Sequence, residues 1–165
     1  MKNITIIGLG AMGLPMAKNL ISAGYEVCGI DKKVDAVNAL RVAGGKPYDD
    51  SQQALAQADM LIIMVINSAQ AKAVLQTGDA LNYLPNHAVV CLMSTCPPAE
   101  VESIALMVTQ SGKAFIDCPV SGGVSGADAG SLTLMAACDK STFEQALPVF
   151  HALGKRIFHV GEKPG

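Results

Sequence analysis

The sequence predicts an α/β fold: a doubly wound, mainly parallel sheet with helices on both faces. Three observations predict it. Short apolar runs alternate with segments of helical period along all 165 residues. The strand-like runs are almost continuously apolar, as strands buried on both faces are, and half of all residues are hydrophobic against 16% charged. The stretch ITIIGLGAMGLPMAKNL passes from an apolar run through three glycines into a helical pattern. The length fits one domain, residues 1–165, large enough to bury a core.

Each element follows in turn. Residues 4–7 read as a buried strand and 12–23 as a helix ended by Gly24, with Pro15 in its first turn, where a missing N–H costs little. Residues 26–30 form a second strand and 34–42 a helix stopped by Gly44 and Gly45. A short segment at 46–48 precedes a helix at 51–57, capped by Ser51. MLIIMVI, at 60–66, is the most apolar run and is expected to be a central strand. A helix at 69–76, a strand at 88–93 and a helix at 99–110, entered through Pro97 and Pro98, come next. Strands are expected at 114–120 and 131–138, a helix at 142–153 and a last strand at 156–160.

The bulk numbers exclude several classes. Net charge is −2, no basic patch is visible and aromatics make up 4%, so nucleic acid is not an expected partner. No apolar run reaches membrane-spanning length, and the chain enters a strand pattern at once, without a secretory signal. Cys28, Cys91, Cys96, Cys118 and Cys138 show no CxxC spacing, which reads as reduced thiols in a cytoplasmic protein. His87, His151 and His159 lack ligand spacing and read as structural or surface residues, so no metal site is expected.

Gly8, Gly10 and Gly13 form G-x-G-x-x-G directly after a strand and at the opening of a helix. In a Rossmann-type fold the first glycine permits the tight turn, the second lets a pyrophosphate approach the backbone, and the third lets helix and strand pack closely. The helix N-terminus supplies N–H donors and partial positive charge. Gly8, Leu9, Gly10, Ala11, Met12 and Gly13 are therefore the candidate cofactor cradle. Asp31 stands at the end of the second strand, where a carboxylate accepts the ribose hydroxyls and repels a 2′-phosphate. That favours NAD over NADP, although Lys32 and Lys33 stand beside it; a solvated helix cap is the alternative to this ribose role of Asp31.

GLGAMGLPMAKNL, MSTCPP at 93–98 and DCPVSGGVSGADAGSLTLM at 117–135, in that order, resemble the β-hydroxyacid dehydrogenase family. That family includes 3-hydroxyisobutyrate dehydrogenase and tartronate semialdehyde reductase, with 6-phosphogluconate dehydrogenase more distant. The resemblance covers the family's N-terminal, NAD-binding half. It implies that Ser121, Gly122 and Gly123 hold the substrate carboxylate, and a Gly/Ser turn suits an anion nest; otherwise this is a plain loop. It places Thr95 near the nicotinamide ribose, beside Ser94, without excluding a helix-cap role. Val65, Ile66 and Asn67 would line the cofactor, or else belong to core and turn. VINSAQ, at 65–70, lacks the proline often found there and is similar to the loop of the L-threonate dehydrogenase branch. Cys118 stands where a small apolar residue is common, and Cys96 follows Thr95; both read as packing residues.

The resemblance also implies what lies elsewhere. The family's acid/base is a lysine on the helix after the dinucleotide domain, which places it beyond Gly165, outside this chain. Lys163, between a glutamate and a proline, reads as an exposed turn residue. The family's all-helical second domain, which completes the pocket and builds the homo-oligomer, is expected outside the chain as well. The leading expectation is thus the NAD-binding domain of an enzyme that moves a hydride between NAD and a small 2- or 3-hydroxy acid, such as a sugar acid like L-threonate. By itself the chain is expected to bind cofactor without turnover. An imine reductase, or a non-catalytic NAD-binding module, would share these residues.

Overall fold

The computed structural model describes residues 1–46, 51–76 and 79–165. Among these residues eight strands form one sheet: β1 (Asn3–Ile7), β2 (Glu26–Ile30), β3 (Met60–Ile63), β4 (Val89–Leu92), β5 (Ala114–Asp117), β6 (Val120–Ser121), β7 (Leu132–Ala137) and β8 (Gly154–Gly161). Their order is β2-β1-β3-β4-β5-β7-β6, with β8 also on β7. From β2 to β5 every pairing is parallel. β7 runs antiparallel to β5 and β6, and β8 lies parallel to β7. The expected α/β sheet is thus mainly parallel, with two reversed strands, β7 and β8.

Among the described residues eight helices cover it: α1 (Gly13–Ser22), α2 (Val34–Val42), α3 (Ser51–Ala56), α4 (Ser68–Leu75), α5 (Ala80–Tyr83), α6 (Pro98–Gln110), α7 (Gly123–Asp128) and α8 (Lys140–Leu153). Strand alternation splits the core in two. Ile4, Ile6, Met60, Ile62 and Cys91 face α1, α2, α7 and α8. Leu61, Ile63, Val90 and Leu92 face α3 to α6. The middle strands β3 and β4 are buried at every position, which explains their unbroken apolar runs. Each fully buried Ile or Leu contributes about 1.5–3 kcal/mol by leaving water.

Several expectations need correction. The strand expected at 60–66 stops at Ile63, because Met64, Val65 and Ile66 pass beyond the edge of the sheet. The run at 114–120 divides into β5 and β6 around Pro119, which has no N–H to give to the ladder. Two short helices, α5 and α7, were not expected from sequence. α8 begins two residues earlier than its apolar pattern implies. The segment expected at 46–48 lies outside the described residues after Lys46, which bridges to Cys28.

The start of α8 is set by Asp139. Its carboxylate accepts from the Thr142 N–H at 2.9 Å, the Thr142 hydroxyl at 2.6 Å and the Ser141 hydroxyl at 2.9 Å. The Thr142 hydroxyl and amide bonds hold its carboxyl below the usual range, against slight desolvation. A lowered folded-state pKa stabilises the fold above the ordinary carboxyl pKa, and that contribution is lost as pH falls through the folded value. Asp139→Ala is therefore expected to lower stability by about 1 kcal/mol at pH 7. Urea melts should show a gap to wild type that is constant above about pH 4 and narrows below it. A gap that does not change at low pH contradicts the cap.

Candidate functional site

Strand register builds the site. Ile30, Ile7, Ile63, Leu92 and Asp117 lie side by side across five parallel strands. The residues that follow them, Asp31, Gly8, Met64, Met93 and Cys118, therefore emerge along one edge, at strand carboxyl ends. In open α/β sheets ligands collect at this edge.

The glycine loop crosses it between β1 and α1. Gly8 has φ +98°, and a Cβ there would overlap the Met64 carbonyl. A Cβ on Gly13 would overlap the Gly8 carbonyl oxygen. Gly10 differs, because nothing lies within 4 Å of where its Cβ would stand. Two glycines thus serve packing and one opens a cradle towards solvent. The Leu9 side chain is buried, so only its backbone belongs to the loop surface.

Asp31 braces this loop. Its Oδ2 accepts the Leu9 N–H at 2.7 Å and its Oδ1 accepts the Lys33 N–H at 2.8 Å. A carboxylate has about four lone-pair directions, so these two bonds leave acceptor capacity for a ribose hydroxyl.

The opposite wall is the β3–α4 loop. Ser94, buried at the end of β4, pins it: Ser94 Oγ accepts the Val65 N–H at 2.9 Å and donates to the Val65 carbonyl at 2.8 Å. Asn67 caps α4 by accepting the Gln70 N–H at 2.9 Å, and the Gln70 side chain accepts the Ile66 N–H at 3.1 Å. Ile66 is held with its side chain 84% exposed. Between the two loops lies a cleft of about 220 Å³ lined by Gly10, Ala11, Met12, Gly13, Met64, Val65 and Ile66.

Six of the sequence candidates therefore meet around one space, joined by Met64, which was expected inside a strand. Gly8, Leu9, Asp31 and Asn67 support that space without lining it, and Thr95 is exposed just past Ser94. Ser94 was expected only as a neighbour of Thr95. Its buried hydroxyl makes it the residue that shapes the wall.

The other candidate region is at 121–123. β6 continues past β5, pairing Ser121 with Thr133 where Asp117 pairs with Ala137. At about 3.3 Å per residue, Ser121 projects about 13 Å beyond the Asp117 row, on the same edge as the loop. Gly122 and Gly123 follow with φ +131° and +60° and lead into α7. Ser121, Gly122 and Gly123 are all exposed. The region is thus an open turn that starts a helix, not an extended loop. Below it, burial pushes the Asp117 carboxyl up, opposed by the Gly165 N–H it accepts at 3.1 Å.

Two of the three histidines make contacts within the fold. His159 Nε2 lies 2.7 Å from the Cys138 carbonyl oxygen and its ring stacks on Phe143. His87 sits 3.3 Å from Asp59. All five cysteines are free. Burial pushes the Cys28 thiol to about 11 and the Cys138 thiol to about 12, and raises Cys96, so none of these three is poised as a thiolate. Among the described residues no cluster of three His, Cys, Asp or Glu side chains gathers to hold a metal, and no helix is long and apolar enough to cross a membrane.

A Rossmann-type sheet with a glycine-opened cleft at its carboxyl edge defines a dinucleotide-binding domain. The family model for the NAD-binding domain of 6-phosphogluconate dehydrogenase matches residues 3–161, so the chain belongs to that family of NAD-binding domains. The chain is 38% identical over 162 residues to an NAD-dependent L-serine dehydrogenase of Pseudomonas aeruginosa, covering 98% of this chain and 54% of the relative. It is 35% identical to an L-threonate dehydrogenase of Haemophilus influenzae, covering 99% and 55%. The structure of Mycobacterium tuberculosis 3-hydroxyisobutyrate dehydrogenase with L-serine superposes with a TM-score of 0.93 at 31% identity, covering 98% of this chain and 55% of that one. The chain spans about half the length of the curated relatives it matches.

Proposed function

We propose that this chain is the cofactor-binding half of an NAD-dependent dehydrogenase acting on a small 2- or 3-hydroxy acid, a sugar acid such as L-threonate among them. The observation that carries this reading is the cleft itself. Its floor opens at Gly10, where a Cβ would fill the space, and it lies between the N-terminus of α1 and the loop pinned by Ser94. Gly10, Ala11, Met12 and Gly13 cradle the pyrophosphate with the backbone N–H groups that lead into α1, since the Leu14 N–H is already given to the Gly10 carbonyl at 3.2 Å and Pro15 has none. Asp31 takes the adenosine ribose. Val65, Ile66, Asn67 and Thr95 border the remainder of the cofactor. Ser121, Gly122 and Gly123 offer a hydroxyl and backbone N–H groups to a carboxylate.

NAD supplies the hydride acceptor, and the protein must add an acid/base for the substrate hydroxyl. No lysine lines the cleft, and Lys163 is exposed in the last turn. On the proposed reading the acid/base is a lysine outside this chain, supplied with the helical domain that completes the pocket and the homo-oligomer. Titration calorimetry of the chain is expected to show NAD binding between micromolar and millimolar, with NADP weaker. An absence of heat at millimolar NAD overturns the cofactor reading. Turnover of any hydroxy acid by the chain alone overturns the assignment of the base.

A further inference from the structure

We propose that Asn19 is a positioning residue that couples the cofactor loop to the 121–123 turn. The inference rests on the function proposed above, with NAD at the loop and the acid at the turn. Asn19 lies two turns into α1, and its Nδ2 donates to the Ala127 carbonyl at 2.6 Å, bridging 108 residues of sequence. That carbonyl is at the C-terminal end of α7, where the helix has no donors of its own to offer. The nearby backbone donor, Gly130 N–H, reaches it only at 3.4 Å. Gly130 turns with φ +58° and leaves room against the Asn19 amide, 3.5 Å from where a Cβ would stand.

α7 depends on such support. It has six residues, GVSGAD, two of them glycine, and a helix that short does not hold itself in water. Gly126 and Ala127 are its buried residues, small enough for α1 to come close. α1 is the better-packed partner: Met16, Ala17 and Leu20 are fully buried in the core, and Gly13 packs on the Gly8 carbonyl at the loop. One packed helix therefore presents its N-terminus to the cofactor cleft and its Asn19 amide to α7. The helix α7 begins at Gly123, the last residue of the turn. Occupancy of the loop holds α1, α1 holds α7 through Asn19, and α7 fixes the direction of the turn. Linkage makes this reciprocal.

Amide hydrogen exchange on this chain, with and without NAD, tests the coupling. The reporters are Gly126 N–H, bonded to the Gly122 carbonyl at 3.0 Å, and Ser131 N–H, bonded to the Gly126 carbonyl at 2.9 Å. In the wild type, saturating NAD is expected to slow both by about fivefold or more. Asn19→Asp has the same shape but loses the donor. It is expected to exchange these amides about tenfold faster. Calorimetry should place its NAD affinity within about threefold of wild type, yet NAD should no longer slow the two amides. Asn19→Gln, which keeps a donor, should restore part of the slowing. Wild-type protein that binds NAD without slowing these amides overturns the coupling, and so does equal slowing in Asn19→Asp. Wild-type protein that binds no NAD overturns the proposed function and the coupling with it.

Discussion

Gly8→Ala is expected to break the domain before cofactor binding is ever tested. The residue has φ +98°, a conformation that L side chains resist by about 1–2 kcal/mol. The added Cβ also overlaps the Met64 carbonyl, which is backbone and cannot rotate away. Met64 is itself tied to β1, its N–H donating to the Ile7 carbonyl at 2.9 Å. Relief therefore requires β1 and the end of β3 to separate at the centre of the sheet. Overpacking of this kind adds about 1–3 kcal/mol, for a total near 4 kcal/mol, a large share of the ~5–15 kcal/mol that holds a domain. For a chain of this length that is a fall in Tm of about 8–16 °C. Gly13→Ala should follow the same course, because its Cβ would overlap the Gly8 carbonyl oxygen. A Gly8→Ala protein that melts within a few degrees of wild type shows that the crossing is looser than the structure has it.

The sequence made the architecture legible because the sheet is buried on both faces. MLII and VVCL form β3 and β4, and unbroken apolar runs this short suit central strands. The same logic overshot at Met64, Val65 and Ile66. These side chains are apolar because they wall a cleft, and a pattern of apolar residues does not distinguish a wall from a core. α7 was illegible for the opposite reason. GVSGAD has poor helix propensity and no helical period, and tertiary contact with α1 makes it a helix. Asp139 was passed over as a cap because the apolar pattern of α8 begins later than its hydrogen bonding.

For the site, the motif showed which residues gather, and the structure adds how they are divided. Asp31 stands at the end of β2 as expected, and its bond to the Leu9 N–H makes it a brace of the loop besides the proposed ribose acceptor. Ser94 gave almost no signal, since a serine after a strand is common. Its meaning lies in a partner 29 residues earlier, the Val65 amide and carbonyl. Long-range polar pairs of this kind, Asn19 with Ala127 among them, depend on the assembled fold and leave no local pattern.

Gly10→Val should give the reverse of Gly8→Ala, and the contrast is the strongest physical test of the loop. No atom lies within 4 Å of a Cβ at Gly10, its φ is not in the left-handed region, and the residue is exposed. The fold has no reason to resist the side chain, so thermal melts should stay within about 2 °C of wild type. The space the side chain enters is the cleft floor shared with Ala11, Met12 and Val65, where the pyrophosphate must approach the backbone. NAD affinity is expected to fall about 100-fold, equivalent to about 2.7 kcal/mol, in calorimetry. Unchanged affinity would place the pyrophosphate away from Gly10 and leave G-x-G-x-x-G as a packing motif only. A collapsed Tm would mean that Gly10 serves the fold as Gly8 and Gly13 do. Stability retained with affinity lost assigns the middle glycine to the ligand and the outer two to the chain, a division that a structural turn has no cause to make.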